Sequence, residues 1–248
     1  MTRKWDDQEK ALDLSDDGVE FCEQEKFTEA LACYNAAILL DPENEIVWYN
    51  KGLTLYELDK NQEAMRCFDK AIRLDPEMDE AWFFKGTIFC DHQKFREAIK
   101  CYDEAIQLDP DFALAINNRG ISMWHLKQYE EAIPYFDAAL EINPQFEIAW
   151  HNRGITFAEL EEYEEAIKCY DKAIRLDPEL DDTWHKKGMA LYYLREFDEA
   201  IKCYDKAIML NYDSPDSWHN KGMTFEQLGK YAEATSCFDR SIKLKEQR

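Results

Sequence analysis

A 34-residue period runs through nearly the whole 248-residue chain. Its clearest copy, YEEAIKCYDKAIRLDP, begins at Tyr163, and similar segments begin at Phe95, Tyr129 and Phe197. A fixed period of this length indicates stacked copies of one small unit rather than one large globular core. Counted back from Pro178, seven units follow a short lead of residues 1–10: 11–44, 45–78, 79–112, 113–146, 147–180, 181–214 and 215–248.

The repeated segment has the pattern of an amphipathic helix. Its apolar residues recur at helical spacing, and they are Ala166, Ile167, Tyr170, Ala173 and Ile174. Asp177 and Pro178 then end the helix, because proline cannot continue one and disfavours helix in the residue before it. With a second helix in the first half of each unit, the sequence predicts an all-α protein.

Several positions of the unit, numbered 1 to 34, hold the same type of residue throughout. Position 4 is large and apolar, position 20 is alanine and position 24 is aromatic in every unit. Glycine at position 8 costs about 1 kcal/mol against alanine inside a helix, so we expect the two helices of a unit to approach closely there, helped by the alanine. These glycines are Gly18, Gly52, Gly86, Gly120, Gly154, Gly188 and Gly222.

This pattern resembles that of the tetratricopeptide repeat (TPR) family over residues 11–248. The resemblance implies a right-handed α-solenoid, a superhelix of antiparallel helix pairs. It also implies that the first helices line a concave groove, which holds an extended segment of a partner protein. One departure is that position 7, usually leucine in the family, is basic in six units, which adds a basic row: Lys51, Lys85, Arg119, Arg153, Lys187 and Lys221.

The candidate groove residues lie at positions that the family turns inward. Position 6 is asparagine in four units, and an amide that both donates and accepts can pair with a peptide backbone of any sequence. Trp124 and His125 stand at inward positions of the fourth unit, where we expect a binding anchor. Position 5 adds Tyr49, Phe83, His151, His185 and His219 to the asparagines Asn50, Asn118, Asn152 and Asn220. The alternatives are that the asparagines are merely tolerated on a wet surface and that the aromatic residues pack between repeats.

Other classes of site are disfavoured. The basic clamp by which chaperone adaptors of this family capture a carboxylate is absent, since position 9 is apolar or threonine and position 2 is never basic. No nucleotide-binding or hydrolase motif occurs, so we expect neither catalysis nor a cofactor. His151, His185 and His219 recur at the same position, but equivalent points on three stacked repeats span roughly 20 Å, which is too far for one metal ion.

Charge and cysteine content limit the setting and the partners. A net charge of −22 disfavours nonspecific binding to nucleic acid or anionic membranes. Six of the eight cysteines share position 23. Neighbouring copies should lie on the order of 10 Å apart, beyond the reach of a disulfide, so we expect reduced thiols. With no signal-peptide core and no transmembrane run in the sequence, a cytoplasmic protein is expected.

The sequence therefore predicts a non-catalytic scaffold or adaptor that binds an extended peptide segment of a partner. The alternative is a structural array that associates with itself through its terminal repeats or its convex surface.

Overall fold

The computed structural model describes residues 2–247. This part of the chain contains fourteen α-helices and no β-strand, which confirms the all-α prediction. In chain order the helices are α1 Thr2–Glu23, α2 Phe27–Leu40, α3 Glu45–Glu57, α4 Asn61–Leu74, α5 Asp79–Asp91, α6 Phe95–Leu108, α7 Ala113–His125, α8 Tyr129–Ile142, α9 Glu147–Glu159, α10 Tyr163–Leu176, α11 Asp181–Tyr193, α12 Phe197–Leu210, α13 Pro215–Gln227 and α14 Tyr231–Glu246.

The helices form two compact units, one of residues up to Ser122 and one of residues from Met123 onward. Within the first, α1 packs against α2, α3 against α4, and α5 against α6; α2 and α4 also pack against the next pair. The second unit repeats this arrangement, with the pairs α9 and α10, α11 and α12, and α13 and α14. Because a three-residue turn joins the helices of a pair, the two run antiparallel.

Every turn within a pair contains a residue of left-handed backbone conformation at position 15. Six of these residues are not glycine, and their φ angles lie between 56° and 64°. The seventh is Gly229, with φ of 71°. They are Glu25, Asp59, Gln93, Lys127, Glu161, Arg195 and Gly229. The turn therefore keeps this geometry even at non-glycine residues, for which the left-handed conformation costs roughly 1–2 kcal/mol.

The repeated glycine faces the repeated aromatic residue rather than the alanine. A Cβ on Gly154 would lie 2.6 Å from Cε1 of Tyr170, and one on Gly188 would lie 2.7 Å from Cε1 of Tyr204. Both tyrosine rings are buried. The close approach expected at position 8 is thus a contact between an aromatic ring and the glycine backbone.

From the third repeat onward, the basic residue of position 7 joins its repeat to the one before it. The Nζ of Lys85 lies 2.7 Å from Oδ1 of Asp69 and 5.1 Å from the centre of the Trp82 ring. Four further pairs join an aspartate to the basic residue 16 positions later: Asp103–Arg119, Asp137–Arg153, Asp171–Lys187 and Asp205–Lys221. Asn35 stands in place of the aspartate before Lys51. Five residues of the basic row are therefore engaged in inter-repeat ion pairs, which we call the repeat clasp.

Tryptophan at position 4 adds a second contact to the preceding repeat. Nε1 of Trp184 donates to the carbonyl oxygen of Pro178 at 3.0 Å, and Trp48, Trp82 and Trp150 bond the equivalent proline in the same way. At the last junction Trp218 donates to Tyr212 instead. A different residue in place of proline thus leaves this hydrogen bond intact.

The cysteines are free thiols, and those of position 23 from the second repeat onward are buried. Burial raises the pKa of the Cys67, Cys101 and Cys203 thiols to about 11. They therefore stay protonated at neutral pH and pack as small apolar side chains.

Candidate functional site

A pocket of the same construction recurs between successive repeats. In the first unit it has a volume of about 340 Å³ and lies between the first and second repeats. The first repeat contributes Val19, Cys22 and Tyr34, and the second contributes Asn50, Leu53 and Glu57. These residues occupy positions 9, 12 and 24 of one repeat and 6, 9 and 13 of the next.

The second unit has two such pockets side by side. One, of about 280 Å³, lies between the fifth and sixth repeats and is lined by Ile155, Glu159, Tyr163, Lys186, Met189 and Tyr193. The other, of about 40 Å³, lies between the sixth and seventh and is lined by Met189, Tyr192, Tyr193, Tyr204, Asn220 and Met223. Met189 and Tyr193 line both, so the two are adjacent. We call these two pockets and that of the first unit the inter-repeat pockets.

A tyrosine pair forms the most accessible aromatic surface of these pockets. The rings of Tyr163 and Tyr193 stack with centres 4.9 Å apart and planes 12° apart. Tyr193 is 56% exposed. Tyr192 meets Tyr193 edge to face at 5.8 Å. Burial and then the charge of Glu161 raise the pKa of Tyr163, so its hydroxyl is a proton donor at neutral pH.

Two of the four asparagines of position 6 lie in these pockets. Asn50 and Asn220 line pockets directly. Oδ1 of Asn118 accepts a hydrogen bond from Nδ2 of Asn117 at 3.2 Å. Asn152 is half-buried at the same position of the fifth repeat.

A hydroxyl one helical turn later fixes the backbone at each of these asparagines. The hydroxyl donates to the asparagine carbonyl oxygen at distances from 2.7 to 3.0 Å. The donors are Thr54, Ser122, Thr156 and Thr224. The backbone carbonyl oxygen of each of these asparagines thus already accepts a side-chain hydrogen bond.

The histidines of position 5 bond the next repeat. Nδ1 of His151 lies 2.8 Å from Oγ1 of Thr183, and its Nε2 lies 3.4 Å from Oδ2 of Asp182. Nδ1 of His185 lies 2.9 Å from Oγ of Ser217, and its Nε2 lies 3.3 Å from Nδ2 of Asn220. No group of three or more metal-ligating side chains occurs among the described residues.

Protonation of His185 is disfavoured where it lies. Burial, and secondarily the charge of Lys186, lowers the pKa of His185. A neutral ring whose Nδ1 donates to Ser217 and whose Nε2 accepts from Asn220 satisfies both hydrogen bonds. His219 is exposed, with its ring 5.3 Å from that of Phe238.

The remaining predicted site residues differ in accessibility. Phe83 is buried, with its ring 5.0 Å from that of Phe112. Tyr49 is half-buried beside Phe68, and burial together with Glu80 and Asp79 raises its pKa to about 12. Position 5 thus lies largely between repeats.

Trp124 and His125 end α7. The Trp124 ring is half-buried, 6.2 Å from the Tyr129 ring, and its Nε1 is buried without a hydrogen-bond partner in the part of the chain that the structure describes. His125 is exposed, and partial burial of its ring lowers its pKa.

Sequence reasoning gave too little weight to positions 9 and 13. Met189, Met223 and Tyr193 line the pockets of the second unit but are not among the predicted site residues. The signal was present, because position 9 stays apolar in six of seven repeats on a helix face that the family turns toward its ligand.

Models of one repeat family match most of the chain. Models described as the tetratricopeptide repeat match residues 46–78, 85–147, 148–180, 182–211 and 215–248, and one described as the TPR repeat matches residues 18–59. No curated protein matches the chain.

None of the described helices combines the length and apolar character that a membrane span requires.

Solved structures share the architecture at low sequence identity. A TPR protein of Parabacteroides merdae is 16% identical, with a TM-score of 0.74 over 95% of this chain and 93% of its own. PilF of Pseudomonas aeruginosa is 20% identical, with a TM-score of 0.71 over 82% and 91%. YrrB, described as a TPR protein with an unusual peptide-binding site, is 23% identical, with a TM-score of 0.63 over 76% and 97%. At these identities the similarity establishes the fold alone.

Proposed function

The chain belongs to the tetratricopeptide repeat family and has its all-α solenoid fold, and from this premise we propose that it is a non-catalytic scaffold that binds an extended segment of a partner protein. The proposal includes the division of residues 11–248 into seven repeats. Within the second unit, it places the segment along the two adjacent inter-repeat pockets.

The observation that carries this proposal is the recurrence of one pocket with one lining. Two of these pockets lie side by side in the second unit and share Met189 and Tyr193. Packed repeats are spaced on the order of 10 Å apart, and an extended chain rises about 3.3 Å per residue. A bound segment would therefore set every third residue or so against a new pocket. YrrB, whose described function is peptide binding, supports the proposal by its shared fold.

The linings indicate what such a segment presents. Methionine is adaptable and tyrosine offers a large rigid surface, so Met189, Met223 and Tyr193 favour large apolar side chains. Asn220 can pair with the peptide backbone. The pocket of the first unit carries Glu57, and the larger pocket of the second carries Glu159 and Glu161 beside Lys186, so both linings are acidic on balance.

The first test starts from peptides selected from a displayed library on the intact protein. Their affinity is then measured by calorimetry for Tyr193→Ala and for the control Met209→Ala. Met209 is 66% exposed and lines none of the inter-repeat pockets. Tyr193→Ala should weaken binding by about 2 kcal/mol, as aromatic hot spots do, and Met209→Ala should leave it unchanged. Equal affinities of the two variants would refute binding at these pockets.

Trp124→Ala tests the anchor predicted in the fourth repeat. It should weaken the selected peptide by about 2 kcal/mol or more, and because the Trp124 ring is half-buried, the melting temperature should fall by only a few degrees. A large fall in melting temperature with unchanged affinity would instead assign Trp124 to the core.

Self-association is the alternative, and exposed apolar side chains favour it. Leu39 is 86% exposed and Ile242, on the last helix, is 55% exposed. Light scattering across a range of protein concentrations separates the two proposals, because the alternative requires a stable oligomer without any peptide.

A further inference from the structure

A fourth pocket breaks the pattern of the other three. It has a volume of about 360 Å³ and lies in the first unit, where α4 meets the end of α5 and the start of α6. Its lining includes Asn61, Met65, Arg66, Phe89, His92 and Lys94. We call it the edge pocket. It shares no lining residue with the inter-repeat pockets.

Two substitutions within the repeat pattern accompany the edge pocket. Position 17 is Phe or Tyr in six repeats and asparagine only at Asn61. Position 14 is leucine in five repeats but is His92 in the third. In the fifth repeat the position 17 residue, Tyr163, stacks on Tyr193. Asn61 therefore places an amide where the six other repeats have an aromatic ring.

Asn61 places a buried hydrogen-bond acceptor at the edge pocket. Its Oδ1 is buried and has no hydrogen-bond partner among the described residues. A buried acceptor without a donor costs about 1–3 kcal/mol, which a ligand N–H or O–H group would recover. An aromatic residue at the same position carries no such cost.

The charge of the edge pocket is opposite to that of the protein. The chain has 52 acidic against 30 basic residues, yet no carboxylate lines this pocket. Arg66, Lys94 and His92 do line it, and all three are exposed at its rim. Neither Arg66 nor Lys94 has an ion-pair partner within residues 2–247, although Glu63 lies one turn before Arg66. The Nζ of Lys94 lies 6.0 Å from the centre of the Phe89 ring.

The floor of the edge pocket is apolar. Ile88 is 1% exposed and belongs to the core of this unit, and Met65 packs against that core. Phe89 adds a half-buried ring. The pocket thus combines an apolar floor, a basic rim and one buried acceptor.

We propose that the edge pocket is a second binding site, separate from the inter-repeat pockets, for a partner segment in which acidic residues flank a large apolar residue. The apolar side chain would lie on Met65 and Phe89, and the carboxylates would accept hydrogen bonds from Arg66 and Lys94. A backbone N–H would donate to Oδ1 of Asn61. Because the rim is exposed, a free small molecule would stay largely uncovered, whereas a protein segment covers the rim itself.

The test uses the full chain with ¹³C-labelled methionine methyl groups and the peptide acetyl-Gly-Glu-Phe-Glu-Gly-amide. The Met65 signal, identified with Met65→Leu, reports on the edge pocket, and the Met189 and Met223 signals report on the inter-repeat pockets. We expect a saturable shift of Met65 alone. Peptides with lysine for glutamate, or alanine for phenylalanine, should bind at least tenfold more weakly. A shift confined to Met189 and Met223 would overturn the proposal, and so would equal binding of the lysine peptide.

Variants test the named contacts. Arg66→Glu should weaken the peptide at least tenfold, whereas Arg73→Glu, the same charge change on the same helix outside the pocket, should change affinity less than twofold. Asn61→Phe, which restores the aromatic residue of the other repeats, should abolish the Met65 shift while circular dichroism shows an intact fold. Full binding by Arg66→Glu would overturn the proposal even if Asn61→Phe failed to fold. Saturation of Met65 by phenylacetate at the same concentration as the peptide would overturn the assignment to a protein segment.

Discussion

At the scale of single residues, the contacts between repeats explain the basic residue of position 7, which the helix pattern alone does not. In four of the five pairs of the repeat clasp, the basic residue contacts both an aspartate of the preceding repeat and the tryptophan ring of its own. Arg153, for example, lies 2.6 Å from Asp137 and 5.8 Å from the centre of the Trp150 ring. The arginine also bonds the Cys169 sulfur at 3.1 Å. A departure from the family pattern at position 7 thus serves the packing of repeats.

Asn35→Asp should complete the clasp at the first junction. It places a carboxylate 16 residues before Lys51, the spacing of the five pairs observed. Since the aspartates of these pairs are about half exposed, the gain should be only about 0.2–1 kcal/mol in the free energy of unfolding. Urea denaturation at low and high salt measures it. The gain should shrink at high salt and vanish when Lys51→Met is added, and a gain that survives Lys51→Met would contradict the pairing.

His185 should make stability depend on pH. Its pKa is lowered in the folded state, so the unfolded state binds more protons as pH falls below about 6.5. Stability is therefore lost on acidification, by on the order of 1 kcal/mol per pH unit at most. Between pH 7.5 and 5.5, His185→Asn should lose less free energy of unfolding than the wild-type chain. Asparagine is a suitable replacement because Asn117 is buried at the same position.

The control for that variant is His219→Asn, at the exposed histidine of the same position. It should retain the wild-type pH dependence. Identical slopes for His185→Asn and the wild-type chain would show that another group carries the effect. The charged groups that act on this ring are Lys186, Asp182, Asp216 and Asp181.

At the scale of the helix, period and end signals in the sequence predicted the elements well. Helix α13 begins with Ser214 as its N-cap and Pro215 as its first residue, and the Ser214 hydroxyl accepts a hydrogen bond from the backbone N–H of Ser217. Helix α8 continues through Pro134 and still begins at Tyr129. A proline near a helix start is thus accommodated without loss of the first turn.

Pro134→Lys should stabilise α8. Lysine stands at this position in three other repeats, and Pro134 is exposed, so the change restores a backbone donor without altering the core. Removing proline from a helix beyond its first turn should add about 1–3 kcal/mol to the free energy of unfolding. Ser236→Lys, at the same position of the last repeat, controls for side-chain propensity and should add a few tenths of a kcal/mol at most. Equal midpoints for the two variants in urea would show that Pro134 costs nothing.

The candidate site was less predictable than the helices, and position 5 shows why. Whether a residue on the flank of a helix meets the ligand face or the next repeat depends on how adjacent repeats are rotated, and a 34-residue period does not encode that rotation. His185 is buried between repeats and His219 is exposed, although both follow the same pattern. The edge pocket could not be predicted from the repeat pattern, because its lining residues Asn61 and His92 are departures from that pattern.

At the scale of the whole molecule, stability is a sum of repeat and junction contributions. Deleting residues 215–248 should therefore leave a folded, helical and less soluble protein. The deletion removes α13 and α14 and uncovers the face of α12 that packs against α13. Helix content per residue, measured by circular dichroism, should be retained. Complete loss of the helical signal would show that the repeats do not fold as separable units.

The missing aspartate before Lys51 has a consequence for ligand binding. In an array of coupled repeats, local opening is more frequent where a junction contact is missing, and the junction between the first two repeats lacks the ion pair found at the five later junctions. The pocket with Val19 on one side and Asn50 on the other spans this junction. A segment bound there would supply coupling that the repeats lack, so occupancy and the order of the N-terminal repeat are thermodynamically linked. Amide hydrogen exchange in α2 should then slow on ligand binding more than exchange at any other junction, and the first repeat would report the presence of a partner by its own rigidity.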